Sequence, residues 1–556
     1  MTTRHLPLLA WLRGYDRSWT RSDLLAGVTA SAIVVPKALA YATVAGLPIQ
    51  VGLYTCFVPM LVYALVGTSR PLSVSTTTTL AILTSTALAQ AVPNADAAEL
   101  AKATAMLCML TGAMLIVAGA LRFGFVANFI SAPVLTGFKA GVAVVIVVDQ
   151  LPKLLGLHIT KSGFLRDVGA ITVALPHLSI ATAAVGLAAI ALLTVMEKTV
   201  PKAPAPLVVV ALGILAVPLL SLGAHGVTVV GHVPTGFPAL GLPDLSLATT
   251  LWPAAAGIAL MSFTESVAAG RAFVATGEPY PQPNSELWAT GLSNLIGAPF
   301  GCMPSGGGTS QTAVNRMVGA KTQLAGMVTS LVALATMLLL APFIGRMPNA
   351  ILAAIVVVYS VGLFKPSDFV AIRTIRRTEF WWAVAALLGV VLLGTLKGIL
   401  VAIVISLMSL SYQALSPPLY VLRRKPGTQV FRPVSDRHPD DEATPGLLIL
   451  RPEGRLFFGN ADHFGQRIQP LLAEARPSVL VLDMSGVFDI EYTALLAMTD
   501  AEEKQRLAGT ELWLTGVSPG VLSTLRKSRL YEALGDRRMF YSVADAYEAW
   551  LKRAQA

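Results

Sequence analysis

Two polar stretches set in apolar sequence carry the residue types that could hold an anion. The first is Ser69-Arg-Pro-Leu-Ser-Val-Ser-Thr-Thr-Thr-Thr79, followed by apolar Leu80-Ala-Ile-Leu83. The second is Met303-Pro-Ser-Gly-Gly-Gly-Thr-Ser-Gln-Thr-Ala-Val-Asn315. Three consecutive glycines are unfavourable inside a helix, by about 1 kcal/mol each relative to alanine, yet they can lead into one. A helix N-terminus leaves N–H groups without intrahelical acceptors and behaves as about half a positive charge, which suits an anion. The hydroxyls of Ser75, Thr76, Thr77, Thr78, Thr309 and Ser310, the Gln311 amide and the backbone at Gly307 and Gly308 are the candidate substrate donors. Any one hydroxyl also has a plainer use, as a helix cap or bonded back to a carbonyl. Pro71 stops one helix, and Ser75 to Thr79 are expected to open the next with hydroxyls exposed.

An apolar segment upstream of each stretch carries an intramembrane charge. Lys37 lies in the first such segment and Glu265 in the later one, 228 residues on, while Gly307 follows Ser75 by 232. Near-equal offsets point to two copies of one unit, each with a charged span and then a broken helix. Paired interrupted segments of this kind mark a transporter site built from inverted repeats. A carboxylate at the bilayer centre costs about 2.5–3.5 kcal/mol on insertion scales and is a functional candidate by default. Burial favours its protonated form, so Glu265 is assigned cation coupling, by a proton rather than Na⁺. The other reading of Glu265 is a permanent ion pair. Lys37 has two readings as well: a cation for the substrate, or the partner of Glu265 in a buried salt bridge. Lys139, Asp149, Lys153, Glu197, Lys198 and Lys397 fall nearer segment ends, where snorkelling accounts for them. Asn315 and Arg316, a turn into the second broken helix, have a use in steadying it, and Arg316 has a second reading, the one favoured, as a solvated or interfacial residue.

The elements that position these residues are membrane helices. Of 556 residues 54% are hydrophobic and only 13% charged, about half the charged share of a soluble domain. Apolar segments recur at about 24–45, 50–66, 76–92, 103–121, 126–138, 139–157, 170–196, 205–221, 251–275, 286–300, 307–318, 322–345, 349–364 and 379–416. The last is long enough to break in two near Gly394 to Gly398. This is a polytopic α-helical membrane protein of about 14 helices. Its net charge of +10 fits basic loops rather than nucleic-acid binding. Arg17 and Arg21 near the start, with Arg373, Arg376, Arg377, Arg423, Arg424 and Lys425, predict those loops on the cytoplasmic side. Three cysteines, at positions 56, 108 and 302, have no disulfide or metal-ligand spacing. No cofactor or metal is expected. The missing Gly-rich nucleotide loop argues against ATP-driven pumping.

The chain divides into four parts: an N-terminal segment at 1–22, a transport domain at 23–416 with repeats near 23–221 and 251–416, a breaker-rich linker at 417–445, and a soluble α/β domain at 446–556. In the last part Leu447-Leu-Ile-Leu450, Ser478-Val-Leu-Val-Leu-Asp483 and Glu511-Leu-Trp-Leu-Thr515 predict strands alternating with helices.

The ordered motifs resemble the SulP family of anion transporters. Pro36-Lys-Ala-Leu-Ala-Tyr-Ala42, then Ala45-Gly-Leu-Pro48 and Gly52-Leu-Tyr54, looks like its first span. Glu265-Ser-Val-Ala-Ala-Gly-Arg271 looks like the eighth, and Asn284-Ser-Glu-Leu287, Gly291-Leu-Ser-Asn294 and Ala313-Val-Asn315 continue to the tenth. Asp483-Met-Ser-Gly-Val487 and Tyr492-Thr-Ala-Leu495 look like a STAS domain. The resemblance covers nearly the whole chain. It implies two inverted seven-helix repeats arranged as core and gate domains, and a substrate between the N-termini of the third and tenth half-helices. It also implies a homodimer in the inner membrane with the STAS domain in the cytoplasm. The sequence departs from the family at three places: Lys37 where Gln or Glu is frequent, Gln311 where many members have Arg, and Ser75-Thr-Thr-Thr78 where a Gly-Pro start is common. Thr493 falls about where related STAS domains carry a phosphorylatable hydroxyl, although Glu491 and Ala494 replace the usual Asp and Gly. The function expected is secondary transport of sulfate, bicarbonate or a small carboxylate by alternating access, coupled to protons. The alternatives are an uncoupled channel or exchanger, a Na⁺-coupled bicarbonate symporter, and a regulatory membrane protein signalling through the STAS domain.

Overall fold

The computed structural model describes residues 10–12, 15–93, 95–128, 131–159, 164–200, 203–238 and 240–555. The chain forms two compact units, Met1–Leu407 and Met408–Ala556.

The first unit begins with α1 (Trp19–Val44) and α2 (Gln50–Val66). A two-residue strand, β1 (Val74–Ser75), leads into the half-helix α3 (Thr78–Ala91). Next come α4 (Ala97–Ala120), α5 (Ala132–Leu155), the short α6 (Phe164–Ala174), α7 (Ile180–Thr199) and α8 (Ala205–Leu219). The second half repeats the plan with α9 (Ala248–Ala272), α10 (Pro283–Gly297), a strand β2 (Gly306–Gly307) and the half-helix α11 (Thr309–Val318). Helix α12 (Leu324–Ala335) runs on through a π-helical turn into α13 (Ala341–Ile344). Then α14 (Asn349–Val361), α15 (Pro366–Ile375), α16 (Arg377–Leu393) and α17 (Thr395–Leu415) close the series, the last running past the unit boundary at Leu407.

Local chemistry sets several of these ends. Asp96 caps α4 by accepting from the N–H groups of Ala98 and Glu99 at 2.9 and 2.8 Å, the usual use of an N-cap carboxylate. Ser131 caps α5, and Gly156 ends it in the left-handed conformation at φ 69°. Among the described residues, seven helical stretches are long and apolar enough to cross a bilayer, and α2, α8 and the C-terminal part of α17 are shorter apolar ones. With the half-helices α3 and α11, and with α10 and α16, they account for the fourteen expected.

One boundary between apolar runs differs from the sequence reading, and one agrees with it. The division between the apolar runs 126–138 and 139–157 falls inside one helix, α5 (Ala132–Leu155), which passes through Lys139 without a break. A charge interrupts an apolar run without interrupting the backbone hydrogen bonding of a helix. The run 379–416 does divide, at Gly394, whose φ of +86° only glycine adopts readily.

Packing gathers the spans into two groups. Helices α1, α2 and α12 pack together, and α10 packs on α2, α4 and α9. On the other side α5 packs on α14 and α16, and α14 on α7. Contacts of α1 with α8 and α14, and of α3 with α5, join the groups.

The second unit is a six-stranded sheet in the order β4-β3-β5-β6-β7-β8. Its strands are β3 (Leu419–Arg424), β4 (Phe431–Pro433), β5 (Leu447–Pro452), β6 (Val479–Asp483), β7 (Glu511–Thr515) and β8 (Met539–Phe540). The pairs from β5 to β8 are parallel, and β3 runs antiparallel to both neighbours. Side chains alternate across the pleat. Leu448, Leu450, Leu480, Leu482, Leu512 and Leu514 face α18 (Ala461–Ala475) and α19 (Tyr492–Leu507). Leu447, Ile449, Val479, Val481 and Trp513 face the C-terminal helix of residues 543–555. The stretch 417–445, read as a linker, contributes β3 and β4, because its breakers fall between short β-competent runs rather than within them.

Candidate anion site

The two broken helices start side by side from one strand pair. β1 and β2 are antiparallel, with Val74 opposite Gly307 and Ser75 opposite Gly306. The glycines allow this approach. A Cβ on Gly307 would lie 2.7 Å from Ser266 Cα and 2.8 Å from Leu72 Cδ1. The Gly307 N–H donates instead to Ser266 Oγ at 2.7 Å, and Ser266 donates to Ser262 O at 2.6 Å. Ser262 donates in turn to Ser305 O at 2.6 Å. Asn294, fully buried, accepts from Ser305 N at 2.8 Å and donates to Ser305 O at 3.0 Å. Helices α9 and α10 thus hold the glycine stretch extended until α11 begins at Thr309.

Polar side chains stitch the two halves together. Gly308 N donates to Ser73 O at 3.0 Å, and Ser73 N donates to Thr312 Oγ1 at 3.2 Å. Gln311 Oε1 accepts from Ser75 Oγ at 2.8 Å and from Ser73 Oγ at 3.3 Å. Asn315 donates to Pro71 O, and Gln323 donates to Ser69 O and Leu72 O. Ser75 therefore serves the scaffold rather than opening a helix, and Ser75, Thr76 and Thr78 are buried rather than exposed. Helix α3 opens at Thr78, with Thr77 as its cap.

In front of this pair lies a cavity of about 520 Å³. Of the residues singled out from sequence, Thr77, Thr78, Gly308, Thr309, Gln311 and Glu265 line it. Ser75, Thr76, Gly307 and Lys37 stand behind that wall. Ser310 is in the first turn of α11, and its side chain lies outside the described residues. The first N–H groups of α3 and α11 have no intrahelical acceptor, so the lining combines two helix N-termini with hydroxyls.

Glu265 is 6% exposed and accepts from Thr77 Oγ1 at 2.8 Å. The same Thr77 oxygen accepts from Leu80 N at 3.3 Å, capping α3. One hydroxyl thus touches both the membrane-embedded carboxylate and the start of a half-helix. Lys37 is buried, and its Nζ lies 3.5 Å from the centre of the Tyr359 ring. That ring, with Tyr41 one turn along α1 from Lys37, lines the cavity.

Sequence reasoning missed four contributors. Lys139, Lys365 and Asp368 line the cavity, and Ser266 anchors its glycines. Lysines near helix ends have an easy interfacial explanation, and a serine within a helix resembles one bonded to its own backbone. Arg316 also differs from its sequence reading. It donates to Phe273 O at 2.9 Å, pairs with Glu278 through two nitrogens and reaches Ala320 O. In the second unit Thr493 is exposed on the first turn of α19.

The sequence matches the sulfate permease family over residues 20–386 and the STAS domain over residues 438–546. It is 31% identical over 552 residues to a probable sulfate transporter of Mycobacterium tuberculosis (strain ATCC 25618 / H37Rv), covering 98% of each chain. The fold is like that of the murine Solute Carrier 26 family member A9 anion transporter in the inward-facing state, with a TM-score of 0.88, 23% identity, and coverage of 98% of this chain and 93% of that one. The transmembrane domain of a cyanobacterium bicarbonate transporter, BicA, is matched at a TM-score of 0.61 and 23% identity, over 70% of this chain and 98% of that one. With its paired half-helices, intramembrane Glu265 and C-terminal sheet domain, the chain belongs to the sulfate permease family: it is a multi-pass membrane anion transporter with a STAS domain, not an enzyme.

Proposed function

We propose that the protein carries a small oxyanion, sulfate in the first instance, together with a proton that resides on Glu265. The observation that carries this reading is the shared Thr77 hydroxyl, which links the Glu265 carboxylate to the cap of a half-helix lining the same cavity. An ionised Glu265 repels an anion brought into that cavity. Protonation removes the repulsion, and by linkage the anion then favours the proton by the same factor. Empty or doubly loaded states are preferred over singly loaded ones, which is what symport requires. The sulfate assignment draws on the mycobacterial relative at 31% identity, which is called a probable sulfate transporter.

We place the protein in the cell (inner) membrane with its N-terminal segment and STAS unit on the cytoplasmic side. The supporting observation is the cluster Arg373, Arg376 and Arg377 from the end of α15 to the start of α16, together with Arg423 to Lys425 after the last span. The test is uptake of labelled sulfate into proteoliposomes with and without an inward proton gradient. Stimulation by the gradient in the wild type and its loss in Glu265→Gln is the expected result. Uptake that ignores the gradient in both would make the protein a channel or uncoupled exchanger, with Glu265 structural.

A further inference from the structure

We infer that Lys139 is the substrate's counter-charge, and that it suits the site to a divalent oxyanion bound with one proton. The inference rests on the proton-coupled reading above and names the residue and substrate charge that the reading leaves open. Two positions could have supplied a cation from sequence, and neither presents one. Gln311 is neutral, and its Oε1 is held by Ser73 and Ser75. Lys37 does not line the cavity, and its Nζ lies against the Tyr359 ring.

Lys139 does line it, from α5. Ala132, Leu135, Thr136 and Lys139 all line the cavity, and their spacing of three, four and seven residues defines one face of a helix. The lysine is therefore in register with a cavity-facing stripe, two turns into α5. It is half-buried between Phe138 and Ala140, both of which are buried. Snorkelling explains a lysine on the bilayer-facing side of a helix, and this one is on the side that lines the cavity.

The charged and titratable groups facing the cavity can be taken element by element. Tyr41 comes from α1, Lys139 from α5, Glu265 from α9, Tyr359 from α14, and Lys365 and Asp368 from the start of α15. The last two are exposed and three residues apart at the mouth, so their charges offset each other in water. Among the described residues, the charged ones that line the cavity inside its mouth are then Lys139 and Glu265, plus two helix N-termini of about half a positive charge each, with Lys37 outside the lining. With Glu265 ionised, the interior sums to about one positive charge. With Glu265 protonated, it sums to about two. The protonated site matches a dianion. Without Lys139 the protonated site would match a monoanion.

The full-length protein in proteoliposomes tests this, with labelled sulfate as the probe, unlabelled bicarbonate as competitor, and an inward proton gradient, acidic outside. Lys139→Gln is expected to raise the apparent KM for sulfate by roughly ten- to a hundredfold, the range of a lost bond between charged groups. The same change shifts competition toward bicarbonate, and Lys139→Arg restores the sulfate preference. An unchanged KM and unchanged competition in Lys139→Gln overturn the inference. Should that variant fail to fold, Lys139→Cys gives the same reading after reconstitution. A positively charged methanethiosulfonate is then expected to restore sulfate uptake, and a negatively charged one to suppress it. Equal effects of the two reagents overturn the inference. A wild type that takes up bicarbonate and not sulfate overturns the divalent assignment while leaving anion transport standing. A wild type whose sulfate uptake ignores the gradient removes the coupling reading, and the KM of Lys139→Gln still decides the role of the lysine.

Discussion

The Thr77 hydroxyl makes two bonds that compete for one geometry. It donates to Glu265 and accepts from the third N–H of α3. A protonated Glu265 has a hydrogen of its own to offer and one oxygen fewer free to accept, so the bond from Thr77 is weakened or reversed. Valine has nearly the shape of threonine but can neither donate nor cap. Thr77→Val is expected to lose about 1 kcal/mol of stability from the cap and to shift the external pH at which sulfate uptake is half-maximal. Glu265→Gln is expected to abolish the response to that pH altogether. In a double-mutant cycle, Thr77→Val should then change uptake little in the Glu265→Gln background, because residues in contact are not additive. Additive effects in initial-rate measurements would separate the cap from the coupling step. These two residues were legible in sequence because a carboxylate and a run of threonines stand out in apolar surroundings. Lys139 was equally visible, but only the helical face it shares with Ala132 and Thr136 shows where it points.

At the scale of elements, the site is held by what lies behind it. β2 can pass within van der Waals range of α9 only because Gly307 has no side chain. Gly307→Ala must move Ser266 or Leu72, an overpacking that typically costs about 1–3 kcal/mol. It also strains the bond from Gly307 N to Ser266 Oγ. A lowered melting temperature with much reduced sulfate uptake is expected, and wild-type behaviour in both assays would remove the close-approach account. The far end of α11 is fixed by Arg316 and Glu278. Burial alone would raise the Glu278 carboxyl, but Arg316, the Ala275 N–H and Arg70 outweigh it and hold it below the usual carboxylate range. A carboxylate with a lowered folded pKa adds stability that is present above its unfolded value of about 4.3 and is lost as pH falls through the folded value. The wild type is therefore expected to lose melting temperature below about pH 4, and Glu278→Gln should lack that part of the acid response. Sequence showed the broken helices but not the strand pair between them. Two residues carry no periodicity, and the pairing of Val74 with Gly307 is set by a partner more than two hundred residues away.

The whole molecule joins two units with separate cores, one of membrane helices and one around a sheet. The membrane unit was legible from apolar segments about 20 residues long, because a bilayer leaves few alternatives to a helix. In the sheet unit the buried strands β5, β6 and β7 read as continuous apolar runs, as parallel strands do. The antiparallel strands β3 and β4 did not, since Arg423, Arg424 and Arg432 give them a polar composition. Asp483, at the end of β6, tests how separable the units are. Its carboxylate is buried, pairs with Arg451 Nε at 2.7 Å and accepts from Ser485 N at 3.1 Å. Asp483→Ala removes both bonds to the buried carboxylate, at a cost of about 2 kcal/mol. For a unit of this size that corresponds to a fall of roughly 5–10 °C in its melting temperature. Calorimetry of the full-length protein is expected to show two transitions, with Asp483→Ala lowering one and leaving sulfate uptake at moderate temperature intact. If both transitions fell together and uptake fell with them, the STAS unit would be stabilising the transport unit, and its sheet would belong to the transport machinery rather than beside it.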